Sequence, residues 1–274
     1  RGTAYLGAEE IQHVMDACAG SISGAGGRNS VSLRAEALSR HFDRAFTLFA
    51  DCLLDPAFPE EELERERSLQ LQEISACEDR PSSLAFDAFS RALFQTHPYR
   101  MQQIGERVTV ERLDAEQLRA HHHRFHDPSR MVLAIIGDVN RTEALEHART
   151  LFGGAGEGSG PLPEVPHESR PTERRRVHRT LARAQAHVVM GFQGLTLFDP
   201  DRHALEVLST VLSGMGGRLF TELRDKRSMA YTVTSMAVEG SYMSLVAAET
   251  GISGGRIFQL LIAPFGLLAT RPGT

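Results

Sequence analysis

Glu66 and Glu73 lie seven residues apart in the run Arg65-Glu66-Arg67-Ser68-Leu69-Gln70-Leu71-Gln72-Glu73-Ile74. On a helix, seven residues make almost two turns, so both carboxylates share a face, within about 20° of each other and about 10 Å apart along the axis. Two acids in line form either a solvated stripe or part of a metal site, and spacing alone leaves both open because glutamate is among the most exposed residue types. A second cluster is His121, His122, His123 and His126. It places two imidazoles at i, i+4, a chelating spacing, but no carboxylate stands at ligand spacing on the same helix. The cluster therefore reads as a partly exposed helix end before Asp127-Pro128. His203-Ala204-Leu205-Glu206 stops short of H-x-x-E-H because Val207 stands where the second histidine belongs. Two glycine runs offer no phosphate cradle: Asn29 and Leu219 occupy the third-glycine positions, and neither run ends in G-K-[ST]. There is no G-x-S-x-G elbow. Cys18, Cys52 and Cys77 are odd in number and never in a C-x-x-C pair, so they read as small core residues.

The elements that must position these groups follow from periodicity. Ile11, Val14, Met15 and Cys18 recur at helical spacing after the opening turn Ala8-Glu9-Glu10. A glycine-rich run from Gly20 to Gly27 leads into alternation of Val31, Leu33, Ala35 and Ala37 with polar residues, which predicts a half-buried strand. Phe42, Phe46, Phe49 and Leu53 form the stripe of another helix. Pro59 and Glu60-Glu61-Glu62 open the helix that carries Glu66 and Glu73, with proline at its first position and acids at the positive end of its dipole; Pro81 ends it. Met131–Gly137 is a continuous apolar run and predicts a buried strand. In the second half the pattern gives a strand over 186–192, a helix through Leu205, Leu208 and Leu212, a turn at Gly214–Gly217, and a short helix through Arg224. Strands follow over 231–238 and 243–248, then an apolar helix over 257–268. The expected organisation is α+β in two units, 1–152 and 176–274, joined by a Gly/Pro-rich linker over 153–175 that includes a solvated Arg174-Arg175-Arg176.

Composition bounds the partners. With 41% apolar and 24% charged residues, the chain is that of a globular protein, and a net charge of −5 leaves no basic surplus for neutralising phosphates, which argues against nucleic acid. No stretch approaches the roughly 20 apolar residues of a membrane span. The chain starts at Arg1 without a methionine, so a targeting segment is not tested by its start.

Read together, Arg1-Gly2-Thr3, Ala8-Glu9-Glu10-Ile11, Asp51 through Pro56-Ala57-Phe58, and Glu64-Arg65-Glu66-Arg67 through Glu73 resemble the insulinase/pitrilysin family of zinc metallopeptidases, which includes the mitochondrial processing peptidase. His97-Pro98-Tyr99, Gly105 and Gly137-Asp138-Val139 continue the likeness. In the second half, Gly217-Arg218-Leu219-Phe220-Thr221-Glu222-Leu223-Arg224-Asp225-Lys226 through Tyr231 is similar to the family's other signature. The resemblance implies two paired α+β domains, both truncated here. It also implies zinc, with Glu73 as a metal ligand and Glu66 as an acid orienting a histidine ligand. Arg224 and Tyr231 match a pair that donates hydrogen bonds to a carbonyl gaining charge, alongside a peptide or small unfolded protein as substrate. A second family unit, as a homodimer, heterodimer or tandem half, is the expected partner.

Two departures shape that expectation. No H-x-x-E-H occurs in the 274 residues, and its place in the family is immediately upstream of Arg1. The strand that receives peptide usually reads Asn-Ala-Phe-Thr, whereas Ser23-Gly24-Ala25-Gly26 stands here; backbone pairing survives that change and side-chain contacts do not. The chain is then either a catalytic unit cut after its histidines or the complementary half that supplies Arg224 and Tyr231. A non-catalytic core subunit and a plain peptide-binding module are the remaining readings.

Overall fold

A computed structural model describes residues 2–126, 130–154, 164–182, 185–228, 230–238, 245–253, 261–263 and 266–268. It divides into two compact units, Arg1–Ala76 with Gln102–Val165, and Cys77–Met101 with Pro166–Thr274. The chain thus leaves the first unit near the end of a helix, returns, and leaves again. The segment 77–101 groups with the second unit, although the sequence pattern places it in the first.

In the first unit, α1 (Ala8–Ala17) leads into the antiparallel pair β1 (Ser21–Gly26) and β2 (Val31–Glu36), followed by α2 (Phe42–Leu54). Ile11 and Met15 of α1 meet Ala45 and Leu48 of α2, and Ile22 of β1 packs against the same cluster. This is the outcome expected when two apolar stripes of 3.6-residue period face one another. α3 (Glu60–Glu78) follows, and α5 (Arg107–Val110), α6 (Ala115–Phe125) and α7 (Arg141–Phe152) complete the unit. Phe46 of α2 packs on Phe152 and on the His147 ring, which ties α7 to α2. Asp114 caps α6, its side chain accepting from the N–H of Gln117, while Asn140 caps α7.

The second unit begins with α4 (Pro81–Leu93). Pro81 ends α3 as the sequence predicts, but it also occupies the first turn of a new helix, where its missing N–H costs nothing. A three-stranded antiparallel sheet follows, in the order β3 (Gln185–Gln193), β5 (Leu245–Ser253), β4 (Ala230–Val238). Leu93, Phe94 and Tyr99, with Phe86 and Phe89, pack against Val189 of β3 and Met236 of β4. On β4, Val233 contacts Leu219 and Leu223, with Leu212 of α8 (Arg202–Leu212) beside them. Because strand side chains alternate, Val233 and Met236 point to opposite faces, so helices cover the sheet on both sides.

Two expectations fail. Met131–Gly137 is not a strand: it is irregular, with Val132 94% and Ile136 95% exposed. Apolar composition makes a strand only where a neighbour accepts its backbone hydrogen bonds, and no such neighbour lies among the described residues. The helix expected over 257–268 is also absent where that region is described. Leu261–Ala263 (β6) and Gly266–Leu268 (β7) pair as antiparallel strands instead. Pro264 and Gly266 interrupt the helical pattern there, and both disfavour a helix interior. No helix among the described residues is long and apolar enough to cross a membrane.

Candidate functional site

Glu66 and Glu73 both lie inside α3, an unbroken helix of 19 residues, so they share a face as their spacing requires. Glu66 is half-buried, with the Arg65 guanidinium 3.8 Å from its carboxylate. Glu73 is exposed. Three side-chain contacts hold the helix. Gln70 donates to the carbonyl of Ile104 at 2.8 Å, Arg67 to the carbonyl of Leu113, and Arg107 to Ser75 Oγ at 2.7 Å. These contacts tie α3 to the segment 104–113, while Glu73 itself is exposed. No group of three or more His, Cys, Asp or Glu side chains that could hold a metal occurs among the described residues. A catalytic zinc takes three protein ligands. Glu73 offers one carboxylate, so the described residues do not by themselves make a zinc centre.

β1 bears on peptide binding. One of its edges pairs with β2 from Ser21↔Glu36 to Gly26↔Val31, and its other edge has no strand partner among the described residues. Most of its residues are exposed. An open edge of this kind is a template for an added extended strand.

Arg224 and Tyr231 are brought together in the second unit. Arg224 lies in a π-helical turn (Thr221–Asp225) that continues α9 (Arg218–Phe220). Its Cζ stands 4.6 Å from the centroid of the Phe220 ring and 5.1 Å from that of Tyr231. Two aromatic faces therefore hold the guanidinium by cation–π attraction. Tyr231 falls where the register between β4 and β5 shifts, between Ala230 and Thr232, and such a bulge re-aims a side chain. Tyr231 is 73% exposed. The approach to α9 depends on glycine. Gly214 sits at φ +77°, and a Cβ on Gly217 would collide with the carbonyl oxygens of Ser213 and Leu212. Sequence reasoning did not single out Phe220; the signal was its i−4 spacing from Arg224, although the wide turn between them is not legible in composition.

The histidine cluster is structural. His122 Nε2 stands 2.8 Å from the Leu53 carbonyl, and its ring meets Phe58 edge-on and stacks on His126 at 4.1 Å. Burial pushes His126 below the ordinary imidazole value, and the neighbouring His122 adds to the effect. Cys18 is fully buried, and Cys52 and Cys77 are half-buried, all three as free thiols.

Part of the expected linker is anchored. Glu168 is buried, and one of its oxygens accepts from the N–H groups of Gln95, Thr96 and His97 at 2.9, 2.7 and 2.9 Å and from the Thr96 hydroxyl at 2.9 Å. Burial raises its pKa, but the three amides and the hydroxyl outweigh that and hold it at about 2. His97 beside it is buried, accepts from the Tyr99 N–H through Nδ1, and is pushed below the ordinary imidazole value by burial, against the pull of Glu168. Arg175 donates to the carbonyls of Ala92 and Leu93, closing the end of α4.

The first unit carries an open strand edge, and the second carries the Arg224–Tyr231 pair. Residues 1–106 match the family described as insulinase (peptidase family M16), and residues 112–252 match the domain described as peptidase M16 inactive domain. The chain belongs to the insulinase family, peptidase family M16. An uncharacterized zinc protease of Streptomyces coelicolor is 31% identical over 95% of this chain and 58% of its own length. One of Bacillus subtilis is 28% identical over 92% of this chain and 61% of its own. The chain thus spans about three fifths of these relatives. Among solved structures, the peptidase M16 inactive domain from Pseudomonas fluorescens superposes with a TM-score of 0.83 at 22% identity, covering 92% of this chain and 62% of that one.

Proposed function

We propose that this chain is part of a zinc-dependent peptidase that hydrolyses extended peptides, and that Arg224 and Tyr231 are its donors to the carbonyl under attack. The observation that carries this reading is the pair itself: a guanidinium fixed between two rings beside a phenol that reaches solvent. Both groups donate hydrogen bonds without needing to lose a proton, which suits an oxygen that gains charge as the peptide carbon becomes tetrahedral. Holding the arginine in advance spares the reaction its reorganisation.

The unpaired edge of β1 supports the substrate class. An extended peptide added there would bind through its backbone, with little side-chain selection beside Ser23, Gly24, Ala25 and Gly26. Zinc, when bound, activates water and polarises the scissile carbonyl. Glu73 would be its carboxylate ligand and Glu66 would orient an imidazole ligand, the histidines coming from outside these 274 residues. The relatives named zinc proteases support that assignment. A second role, the metal-free complementary half of a dimer or tandem enzyme, is favoured by the match of residues 112–252 to a domain described as inactive.

The test uses the complete protein containing these residues, with a fluorogenic peptide and metal analysis. Arg224→Ala is expected to lower kcat/KM by on the order of a hundredfold, as loss of an oxyanion donor does, with zinc content unchanged. Full activity in Arg224→Ala overturns the proposal. Glu73→Gln separates the two roles: loss of zinc makes this chain the catalytic unit, and full zinc with full activity makes it the complementary half.

A further inference from the structure

The chain leading into β3 concentrates positive charge. Residues 169–182 hold five arginines, Arg170, Arg174, Arg175, Arg176 and Arg179, against one acid, Glu173. That is a net +4 in a chain of −5, so all the other residues together carry −9. From Arg174 to Leu181 the backbone has no helix, turn or bend, and every residue is exposed. An extended run of that length spans at most about 26–29 Å. It belongs to the second unit and shares no residue with the groups invoked above for peptide hydrolysis.

The run is anchored rather than loose. Ahead of it, Glu168 holds the amides of Gln95, Thr96 and His97, and the Gln193 side chain donates to the Ser169 carbonyl at 3.3 Å. Within it, Arg175 donates to the carbonyls of Ala92 and Leu93 at 2.8 and 3.2 Å. Successive side chains of an extended chain point opposite ways, so anchoring Arg175 turns its neighbour Arg176 outward. Arg170, Arg176 and Arg179 have no hydrogen bond or ion pair among the described residues. Cations gathered in this way repel one another, and arriving carboxylates offset that repulsion. The occupant has to be narrow. Nucleic acid or an anionic bilayer would bring its phosphates against the rest of the chain as well, whose net −9 opposes them. An acidic peptide laid along the run meets the arginines alone, and its carboxylates match the planar donor fork of each guanidinium. Val177, 63% exposed between Arg176 and Arg179, offers such a peptide an apolar contact.

We propose that residues 170–179 form a docking strip for an acidic peptide segment of a partner protein, with Arg176 and Arg179 as its main donors. The full chain is titrated into a fluorescein-labelled peptide of alternating glutamate and serine, with a lysine–serine peptide as counterpart, and anisotropy is read at low and at physiological salt. Saturable binding of the glutamate peptide alone is expected, weaker at the higher salt. Arg176→Gln with Arg179→Gln should weaken it about tenfold, the loss of two exposed charge pairs. Arg44→Gln with Arg149→Gln removes the same charge from exposed positions on α2 and α7 and should change it less than about twofold. Circular dichroism shows whether each variant is folded. Should the strip pair not fold, the two single variants decide, each expected to weaken binding about threefold. A labelled single-stranded oligonucleotide and phosphatidylserine vesicles are titrated in parallel, and sedimentation of the chain alone tests for a second copy on the strip. Five results each overturn the proposal: no saturable binding, equal binding of the two peptides, equal loss in both double variants, tighter binding of oligonucleotide or vesicles than of peptide, and self-association that the strip variant abolishes.

Discussion

Glu168 is the residue whose removal says most about how the second unit is held. One of its oxygens accepts three consecutive backbone N–H groups and a hydroxyl, and it does so as an anion, its pKa lowered from 4.5 to about 2. If the unfolded value is the ordinary one, that displacement corresponds to at most about 3.4 kcal/mol of stability at neutral pH. The neighbours Ser169 and His167 are exposed, so solvent screens part of the field, and about 1.5–2 kcal/mol is the better expectation. The direction is set by linkage. A carboxylate whose folded pKa is depressed contributes its full stability above its unfolded value, and loses it as pH falls from about 4.5 towards 2. Glu168→Gln removes the charge at every pH. Urea unfolding at pH 7 should therefore show the variant less stable by about 1.5–2 kcal/mol, and the gap should shrink steadily between pH 4.5 and 3. Titrating the Glu168 carboxyl by carbon NMR gives the same quantity directly. A gap that is equal at pH 7 and pH 3, or a Glu168 that titrates near 4.5, would refute the assignment of this stability to charge.

Three further outcomes follow from the geometry. His126 is held below its ordinary value by burial and by His122, so it contributes stability above about pH 6.5 that is lost on acidification; His126→Phe, which keeps a ring against His122, should flatten the change in urea midpoint between pH 7.5 and 5.5 relative to wild type. Phe94 is fully buried among Leu93, Tyr99 and Val189, and Phe94→Ala should cost about 3–5 kcal/mol in chemical denaturation. Gly217→Ala forces a Cβ into the carbonyls that precede α9; the thermal midpoint should fall, and the Arg224 guanidinium resonances, shifted by the flanking rings, should move towards their free values.

The residues that were legible in advance are those whose neighbours are close in sequence. The helix bearing Glu66 and Glu73 announces itself through Pro59, three acids and a 3.6-residue pattern, and β2 through the alternation at Val31, Leu33 and Ala35. The failures depend on distant partners. Met131–Gly137 has strand composition, yet pairing is decided by a neighbour that composition does not reveal. Glu168 lies in a stretch of low apolar content that reads only as a linker, because nothing local marks a carboxylate that meets amides more than 70 positions earlier. The Arg224–Tyr231 pair was named through family resemblance, while the π-helical turn and the strand bulge that aim the two side chains are departures from regular periods and leave no periodic trace.

The path of the chain between its two units has a practical consequence for dissection. The connection is made three times, near residues 76, 101 and 165, so the helix α4 that covers one face of the second unit's sheet is encoded within the span of the first. A clone ending at residue 152 would carry Phe86, Phe89 and Phe94 without the sheet they pack on, and one starting at residue 176 would expose that sheet's Val189 and Met236. Both pieces should be sticky and poorly soluble, whereas a clone joining 77–101 to 166–274 through a short flexible spacer is the version to attempt when the second unit is wanted alone.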